Sequence, residues 1–310
     1  MAYLASFGKY LPERAVSNEE IAPLISAEPD WIFEMSGIRD RRWAGPEDTV
    51  AAMGVKAAER ALERAGVPAS SVGVILVASG TSERRFPGPA AEIQHQLGAS
   101  SAVAIDVPMA SAGALFAMVQ GGLWLQGTPY ALVVASEKMS PIVLTEPIEK
   151  GTAMLFGDGA GAVLMARESG KARVLDVNLG SDGSNAGELR LEFGAPLHMN
   201  GRAVIMHAAR KVPASIQAVL SKRSLSANDL SKILMHQANA NLIQKIAQVL
   251  GVGPDQFYSN ISRYGNTSSA SLLIAAEEWE QEQGFEKGVP VVMAAFGAGF
   301  HWGAMLLEGC

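Results

Sequence analysis

The sequence predicts an α/β protein built from two similar halves, on three observations. Several segments recur at offsets of 140 to 158 residues, close to half of the 310-residue chain. Short apolar runs rich in β-branched residues alternate with helical patterns, and a glycine-studded apolar segment stands near the end of each half. Such offsets indicate duplication of a whole supersecondary unit, and two copies are too few for a solenoid. We therefore expect two α/β halves packed on each other.

The apolar runs are the predicted strands. VGVILVASG (72–80) matches LSKILMHQA (230–238), and FGDGAGAVLM (156–165) matches FGAGFHWGAMLL (296–307). VGVILVA, AVAID, ALVVAS and VPVVMAAF do not alternate between apolar and polar residues, which is typical of strands covered on both faces.

Helical patterns fill the intervals between these strands. We expect amphipathic helices at 112–126 and 268–283, and the segment 169–200, richer in Gly, Ser and Asn, to link the halves. The predicted architecture has five layers: helices, sheet, shared helices, sheet, helices. The N-terminal half then spans residues 1–170 and the C-terminal half 171–310.

Composition excludes several classes of function. The net charge of −6 argues against general nucleic-acid binding, and docking of an acidic protein partner would need a local basic patch. Cys310 is the only cysteine, so no intrachain disulfide forms. The first residues do not resemble a secretory signal, and no apolar stretch reaches 20 residues. We expect a cytoplasmic protein with no membrane partner.

Two polar residues stand where predicted strands meet helices. His236 follows the strand KILM, and catalytic groups in parallel sheets gather at the carboxyl ends of strands. Ser111 follows AVAIDV and opens a helical pattern. Ser111 is either an ordinary helix cap or a nucleophile whose developing charge the helix N-terminus stabilises.

Asn266, in RYGNTSSAS, is the third candidate. It is either a turn residue or, under the duplication, the second-half counterpart of the Ser111 loop. A hydroxyl, an imidazole and an amide would then converge from three strand-to-helix junctions, as nucleophilic acyl transfer requires.

Five segments in this order resemble the ketoacyl-acyl-carrier-protein synthase III family, which has the thiolase fold. They are Ser111-Ala-Gly, GTAMLFGDGAGAVL, HQAN, RYGNTSSAS and FGAGFHWG, and YLPE and DWIFEMSGIRDRR near the start support them. The resemblance runs from about residue 3 to 307. It implies an acyltransferase of fatty-acid or polyketide biosynthesis.

The resemblance implies roles for the three candidates. In that family a cysteine takes an acyl group from coenzyme A, and a histidine and an asparagine assist decarboxylation of a malonyl carrier protein. These roles fall on Ser111, His236 and Asn266. The oxyanion hole would consist of the N–H groups of Ser111 and Ala298. Acyl-coenzyme A is a substrate, and no permanent cofactor or metal is implied.

The resemblance also implies a substrate passage and a homodimer. Trp31 and Lys150 correspond to the pair that sandwiches adenine, and Arg202 to a polar position along the passage. Phe86 corresponds to a residue delivered into the neighbouring subunit's acyl pocket. Phe156, Leu197, Met199 and Phe296 are candidate pocket residues, and for the first three plain core packing is an equal alternative.

The sequence departs from the family pattern at Ser111. A serine hydroxyl needs a general base, and His236 could serve only by giving up its role as hydrogen-bond donor. Three explanations stay open: a native nucleophile in a specialised starter-unit acyltransferase, with or without condensation; an engineered replacement of cysteine; or a non-catalytic binding subunit. Met35 and Asn241 stand where the family has arginines, which puts docking of the fatty-acid carrier protein in question and favours a natural-product pathway.

Other site types fit poorly. The glycine clusters run into strand-like sequence rather than G-x-G-x-x-G and a helix, which argues against a dinucleotide site. Ser111 lacks the G-x-S-x-G context of a serine hydrolase, and no His, Cys or carboxylate cluster has metal-ligand spacing.

Overall fold

The computed structural model describes residues 2–310. The strands are β1 (Tyr3–Tyr10), β2 (Ala15–Ser17), β3 (Asp40–Arg42), β4 (Val72–Ala78), β5 (Val103–Val107), β6 (Tyr130–Glu137), β7 (Gly159–Ala166), β8 (Ala172–Ser181), β9 (Leu189–Arg190), β10 (His198–Met199), β11 (Lys232–Met235), β12 (Phe257–Tyr258), β13 (Pro290–Gly297) and β14 (His301–Gly309).

The helices are α1 (Asn18–Ile21), α2 (Pro29–Ser36), α3 (Val50–Ala65), α4 (Pro89–Gln96), α5 (Gly113–Trp124), α6 (Ser140–Val143), α7 (Lys150–Ala153), α8 (Gly201–Ser221), α9 (Ala240–Leu250), α10 (Ile261–Tyr264) and α11 (Ala270–Glu282).

The main sheet repeats one strand order on both sides of its centre. Within residues 2–310, ten strands are hydrogen-bonded in the order β12-β11-β13-β14-β8-β1-β7-β6-β4-β5. Read outward from the centre, β1-β7-β6-β4-β5 and β8-β14-β13-β11-β12 have the same order and the same pattern of parallel and antiparallel pairs. The two sides of the sheet are paired through Tyr3 and Leu4 of β1, which lie opposite Arg173 and Ala172 of β8. The repeat seen in the sequence therefore corresponds to two halves of the sheet that share one strand order.

Helices cover both sides and also separate them. Helices α3 and α4 pack on the strands of one side, and α8 and α9 flank the other. Helices α5 and α11 each contact strands of both sides, so they form a shared central layer. This agrees with the predicted layered α/β architecture. The boundary at residue 170 stays a prediction.

Two predictions about local structure were wrong. The segments 112–126 and 268–283 contain α5 and α11, but these helices are not amphipathic: Ala270 to Trp279 are all buried, because α11 has a sheet on either side. The linker predicted at 169–200 begins with a long strand, β8, which supplies the central edge of its side of the sheet. Most of its Gly, Ser and Asn residues lie outside β8, chiefly after the strand in 182–200.

Candidate functional site

Ser111 lies on a tight turn between β5 and α5. Its φ of +59° is in the left-handed region, which a non-glycine residue rarely adopts outside functional or strained sites. The helix N-cap is Ala112, and no side chain caps the helix. The alternative that Ser111 is an ordinary helix cap is therefore wrong.

The end of β13 is pressed against this turn. A side chain on Gly297 would bring its Cβ within 2.3 Å of the Ala110 carbonyl oxygen and 3.0 Å of Ser111 Cβ. Glycine is needed here because the two backbones approach so closely. The segment FGAGF thus fixes the position of Ser111 from the opposite half of the molecule.

His236 is buried directly after β11. Its N–H donates to the carbonyl of Ala294 on β13 at 3.0 Å, so the residue continues the parallel pairing of the strand. The ring Nδ1 lies 2.6 Å from the hydroxyl oxygen of Ser271. Burial lowers the pKa of His236 to about 4, against an opposing effect from the Ser268 backbone. The imidazole is therefore neutral at neutral pH.

The rest of the HQAN segment holds His236 in place. Gln237 is fully buried, and its side-chain amide donates to the carbonyls of Met235 and Tyr258. The Asn239 side chain accepts the N–H groups of Asn241 and Leu242 and caps α9. Each polar residue of the segment thus has a separate role.

Asn266 lies on the loop between α10 and α11. Its N–H donates to Leu155, and its carbonyl accepts from Gly157, which joins this loop to the chain around Phe156. The side-chain Oδ1 accepts the N–H of Ser268 at 2.9 Å, and Nδ2 donates to the Ala238 carbonyl over a long 3.4 Å. The amide group is oriented by its own loop, and its donor side faces the segment after His236.

The three predicted residues meet in one cavity of about 50 Å³. Ser111, His236 and Asn266 all line it. The remaining wall is almost entirely apolar: Phe156, Leu189, Met199, Val204, Ala208, Val212, Met235, Ala238, Leu242, Ile246, Phe296 and Gly297. The cavity combines three polar groups with an apolar lining, as a site for an acyl group requires.

The predicted pocket residues divide into two groups. Phe156, Met199 and Phe296 line the cavity. Leu197 does not line the cavity; it is buried in the apolar cluster that also contains Phe156, and its role in the pocket stays a prediction. Phe86 lies outside this cavity with 85% of its surface exposed, which is unusual for a phenylalanine.

Two of the predicted coenzyme residues, Trp31 and Lys150, are in contact near the molecular surface. The Lys150 ammonium group sits 4.0 Å from the centre of the Trp31 ring, a cation–π contact. A separation of 4.0 Å leaves no room for an adenine ring between them, so the predicted sandwich would require one of the two side chains to move. Buried Arg41 Nη2 donates to the carbonyl of Met154, directly after the helix α7 that begins with Lys150, at 2.8 Å. Arg202 is exposed in the first turn of α8.

The predicted oxyanion donor at Ser111 is already engaged. Its N–H donates to the Ser268 hydroxyl oxygen at 3.0 Å, and the two hydroxyl oxygens lie 3.5 Å apart. The hydrogen bonding therefore does not support the oxyanion role of this N–H. The Ser268 hydroxyl donates in turn to Glu137 Oε1 at 2.9 Å.

Sequence reasoning missed Ser268, Ser271 and Glu137. The serines stand in the motif RYGNTSSAS that identified Asn266, and Glu137 is a lone acid ending an apolar strand. That last feature is a usable signal, because an acidic residue is almost never fully buried without a specific reason.

Metal-ligating clusters and membrane-spanning helices were also sought among the described residues. Among residues 2–310, no group of three or more His, Cys, Asp or Glu side chains could hold a metal ion. None of the helices in the same range is both long enough and apolar enough to cross a bilayer.

Two family models match the chain. The model described as 3-oxoacyl-[acyl-carrier-protein] synthase III matches residues 105–183, and the model of its C-terminal region matches residues 220–309. The first match includes Ser111, and the second includes His236 and Asn266.

Whole-length relatives agree with these matches. The chain is 35% identical over 311 residues to a beta-ketoacyl-[acyl-carrier-protein] synthase III of Serratia proteamaculans, covering 97% of both chains. It is 36% identical over 303 residues to the protein of the same name in Oceanobacillus iheyensis, covering 97% of this chain and 96% of the relative.

Solved structures extend the similarity to three dimensions. A 3-oxoacyl-[acyl-carrier-protein] synthase III of Aquifex aeolicus superposes with a TM-score of 0.94 at 31% identity, covering 99% of this chain and all of the other. A priming beta-ketosynthase of a polyketide biosynthetic pathway superposes with a TM-score of 0.91 at 31% identity, covering 100% and 96%.

Proposed function

Because the chain belongs to the 3-oxoacyl-[acyl-carrier-protein] synthase III family of the thiolase superfamily, we propose that Ser111 accepts an acyl group from acyl-coenzyme A and passes it to a malonyl thioester. The chain is an acyltransferase of the condensing type. The observation that carries the proposal is the single apolar cavity lined by Ser111, His236 and Asn266. Coenzyme A acts here as a substrate and not as a resident cofactor.

We assign decarboxylation of the malonyl group to His236 and Asn266. Loss of carbon dioxide from the malonyl group leaves an enolate, whose oxygen needs hydrogen-bond donors. The low pKa of His236 keeps its imidazole neutral, so one ring nitrogen carries a proton and the other does not. A Ser271 hydroxyl that donates to Nδ1 leaves the proton on Nε2. Nε2 and Asn266 Nδ2 then stabilise the enolate until it attacks the acyl group.

The acylation step falls to Ser111. Its oxygen attacks the thioester carbonyl, and the apolar wall holds the acyl chain. A hydroxyl is a weaker nucleophile than a thiolate, so acylation is slower than at a cysteine in the same place. We assign the oxyanion contact to the N–H of Ala298, on the turn after β13, because the Ser111 N–H is bound to Ser268.

We assign binding of the coenzyme A moiety to three residues near the surface, Trp31, Lys150 and Arg202. Lysine is a compact charge without a planar face, so Lys150 leaves the Trp31 ring when adenine stacks there and then faces phosphate. Arg202 provides a second cation near the passage. This requires a movement of one exposed side chain only.

A second subunit and a carrier protein complete the proposal. The exposed Phe86 is explained if it enters the acyl pocket of a second copy of this chain. The extender is a malonyl group on a carrier protein whose docking does not use the usual charges. Asn241 instead donates to the carbonyls of Glu34 and Met35 and ties α9 to α2. The two halves at 1–170 and 171–310 supply the nucleophile and the His/Asn pair respectively.

Mass analysis tests this function. The chain is incubated with acetyl- or propionyl-coenzyme A, and the adduct is mapped by peptide mass. We expect one acyl group on the peptide that contains Ser111, and none in Ser111→Ala. Absence of any adduct with every donor would favour the non-catalytic subunit. An adduct that malonyl carrier protein does not consume would favour a starter-unit acyltransferase without condensation.

Two variants separate the half-reactions. Ser111→Cys is expected to raise the condensation rate, since a thiol needs no strong base; an unchanged rate would contradict the hydroxyl argument. Asn266→Ala is expected to acylate normally and to lose at least about 100-fold in condensation, as removal of one preorganised donor does elsewhere. Equal losses in both steps would mean that Asn266 has only a structural role.

A further inference from the structure

A buried carboxyl group lies two hydrogen bonds from the candidate nucleophile. The Ser111 hydroxyl oxygen is 3.5 Å from that of Ser268, and Ser268 donates to Glu137 Oε1 at 2.9 Å. Both serines have left-handed backbones, with φ of +59° and +48°. Ser111 and Ser268 face each other from opposite halves of the chain. Holding both in this unfavourable backbone conformation costs conformational energy. Such conformations concentrate at functional sites.

The hydrogen-bonding capacity of Ser268 fits a relay. A hydroxyl has one donor and two acceptor positions. The donor is directed to Glu137, and one acceptor position takes the Ser111 N–H at 3.0 Å. The second acceptor position remains for the Ser111 hydroxyl proton. We propose that Ser268 and Glu137 form a proton relay that activates the hydroxyl of Ser111. This inference rests on the proposed acylation of Ser111.

The step balances without a further reactant. As the Ser111 oxygen bonds to the thioester carbonyl carbon, its proton passes to Ser268, and the proton of Ser268 passes to Glu137. When the tetrahedral intermediate collapses, the carbon–sulfur bond breaks and coenzyme A leaves as a thiolate. The proton on Glu137 then returns through Ser268 to the departing sulfur. The carboxylate is regenerated, and the products are acyl-Ser111 and coenzyme A thiol.

The surroundings of Glu137 suit a proton acceptor. It is fully buried, and the ion pairs found within residues 2–310 do not include it. Three groups donate to each oxygen: Ser268 Oγ and the Ser269 hydroxyl and N–H to Oε1, and Thr81 Oγ1, Gly80 N–H and Ser79 Oγ to Oε2. These donors support the charged form, whereas burial raises the pKa of Glu137 and so increases its affinity for a proton.

The relay removes a conflict in the role of His236. An imidazole that took the Ser111 proton would become a cation, in a site where burial lowers its pKa to about 4. The ring bonds to Ser271 instead, and the hydroxyl beside Ser111 is that of Ser268. With Glu137 as the proton acceptor, His236 stays neutral and keeps its donor function for the enolate.

The test compares two neighbouring serines in two backgrounds. Ser268→Gly removes the relay hydroxyl, and glycine suits the φ of +48° at no steric cost, so this variant should fold. Ser269→Ala is the matched control, because Ser269 also donates to Glu137 Oε1, at 2.7 Å, but makes no hydrogen bond to Ser111. Each is made with Ser111 and with Ser111→Cys. The rate of adduct formation with acetyl-coenzyme A is followed by intact mass, after thermal unfolding has shown which variants are folded.

A relay predicts an effect confined to the hydroxyl nucleophile. Ser268→Gly should slow acylation of Ser111 by about 100-fold or more, as loss of general-base assistance does, and Ser269→Ala by less than about fivefold. In the Ser111→Cys background, Ser268→Gly should slow acylation by less than about fivefold. Glu137→Gln should slow acylation of Ser111 as much as Ser268→Gly does and should slow acylation of the Ser111→Cys variant equally little. This variant therefore tests the relay if Ser268→Gly does not fold.

Other results overturn the relay. Equal slowing of serine and cysteine acylation by Ser268→Gly would show a structural role only. Equal slowing by Ser268→Gly and Ser269→Ala, or no slowing by either, would also refute it. If wild-type chain forms no adduct while Ser111→Cys does, the proposed acylation of Ser111 itself fails, and the relay fails with it. An adduct in wild type that is insensitive to Ser268 and Glu137 refutes the relay alone.

Discussion

The neutral state of His236 predicts a specific loss of stability in acid. In the unfolded chain its imidazole titrates near the ordinary 6.5, but in the folded chain burial lowers the pKa to about 4. Between these values the unfolded chain binds a proton that the folded chain does not. The folding free energy contributed by the neutral ring is therefore present above pH 6.5 and is lost as the pH falls toward 4.

The magnitude follows from the size of the shift. One pKa unit corresponds to about 1.4 kcal/mol, so the full shift is worth about 3 kcal/mol below both values. At about pH 5 the unfolded imidazole is almost fully charged and the folded one almost fully neutral, which gives a loss of about 2 kcal/mol relative to about pH 7.5. A loss of this size is a large fraction of the stability of a typical domain.

Urea unfolding at these two pH values measures the loss. His236→Gln is the control, because glutamine does not titrate and all other acidic and basic groups are shared. We expect wild type to lose about 2 kcal/mol more than His236→Gln on acidification. Parallel losses in the two proteins would refute the burial argument and the neutral donor role built on it.

The remaining predictions concern the groups around the site. Ser271→Ala should reduce decarboxylation of the malonyl thioester by about tenfold while leaving acylation of Ser111 unchanged, because the tautomer of His236 is no longer fixed; an equal loss in both steps would show a structural effect. Trp31→Ala should raise KM for acyl-coenzyme A by about tenfold with little change in kcat, as loss of stacking does, and an unchanged KM would contradict the adenine assignment. Phe86→Ser should weaken dimerisation or acyl-coenzyme A binding in light scattering and kinetics, whereas a wild-type chain that is monomeric and fully active would exclude a role for Phe86 in a second subunit.

The duplicated fold was predictable because its signal is local and repeated. Strands β4 and β11 are short apolar runs without alternation, which reflects sheets covered on both faces. The error concerned α5 and α11. The sequence GALFAMVQGGLW of α5 and the start of α11, ASLLIAA, are apolar on every side, and this pattern is itself a sign of a helix covered all round, as the contacts of both helices with strands of both sides show.

The part of the candidate site that lies at the ends of parallel strands was predictable. His236 follows β11 directly and Ser111 lies four positions after the end of β5, and the edge where parallel strands end brings such residues together. The partners of these residues were not predictable in the same way. Ser268 and Glu137 are 131 positions apart, and no local pattern records a hydrogen bond across that separation.

The coenzyme residues show the same limit. The sequence places Trp31 and Lys150 more than 100 positions apart, and only folding brings the ammonium group onto the ring. Such a contact is a property of the assembled structure.

The most direct test of the account follows one acyl group through the whole reaction. The chain is acylated with isotopically labelled acetyl-coenzyme A, the excess donor is removed, and malonyl carrier protein is added while intact mass and product are recorded. We predict that the label leaves the peptide containing Ser111 and appears in a 3-oxoacyl product, with release of carbon dioxide. Label that stays on Ser111, or product formed by Ser111→Ala at the wild-type rate, would contradict the account.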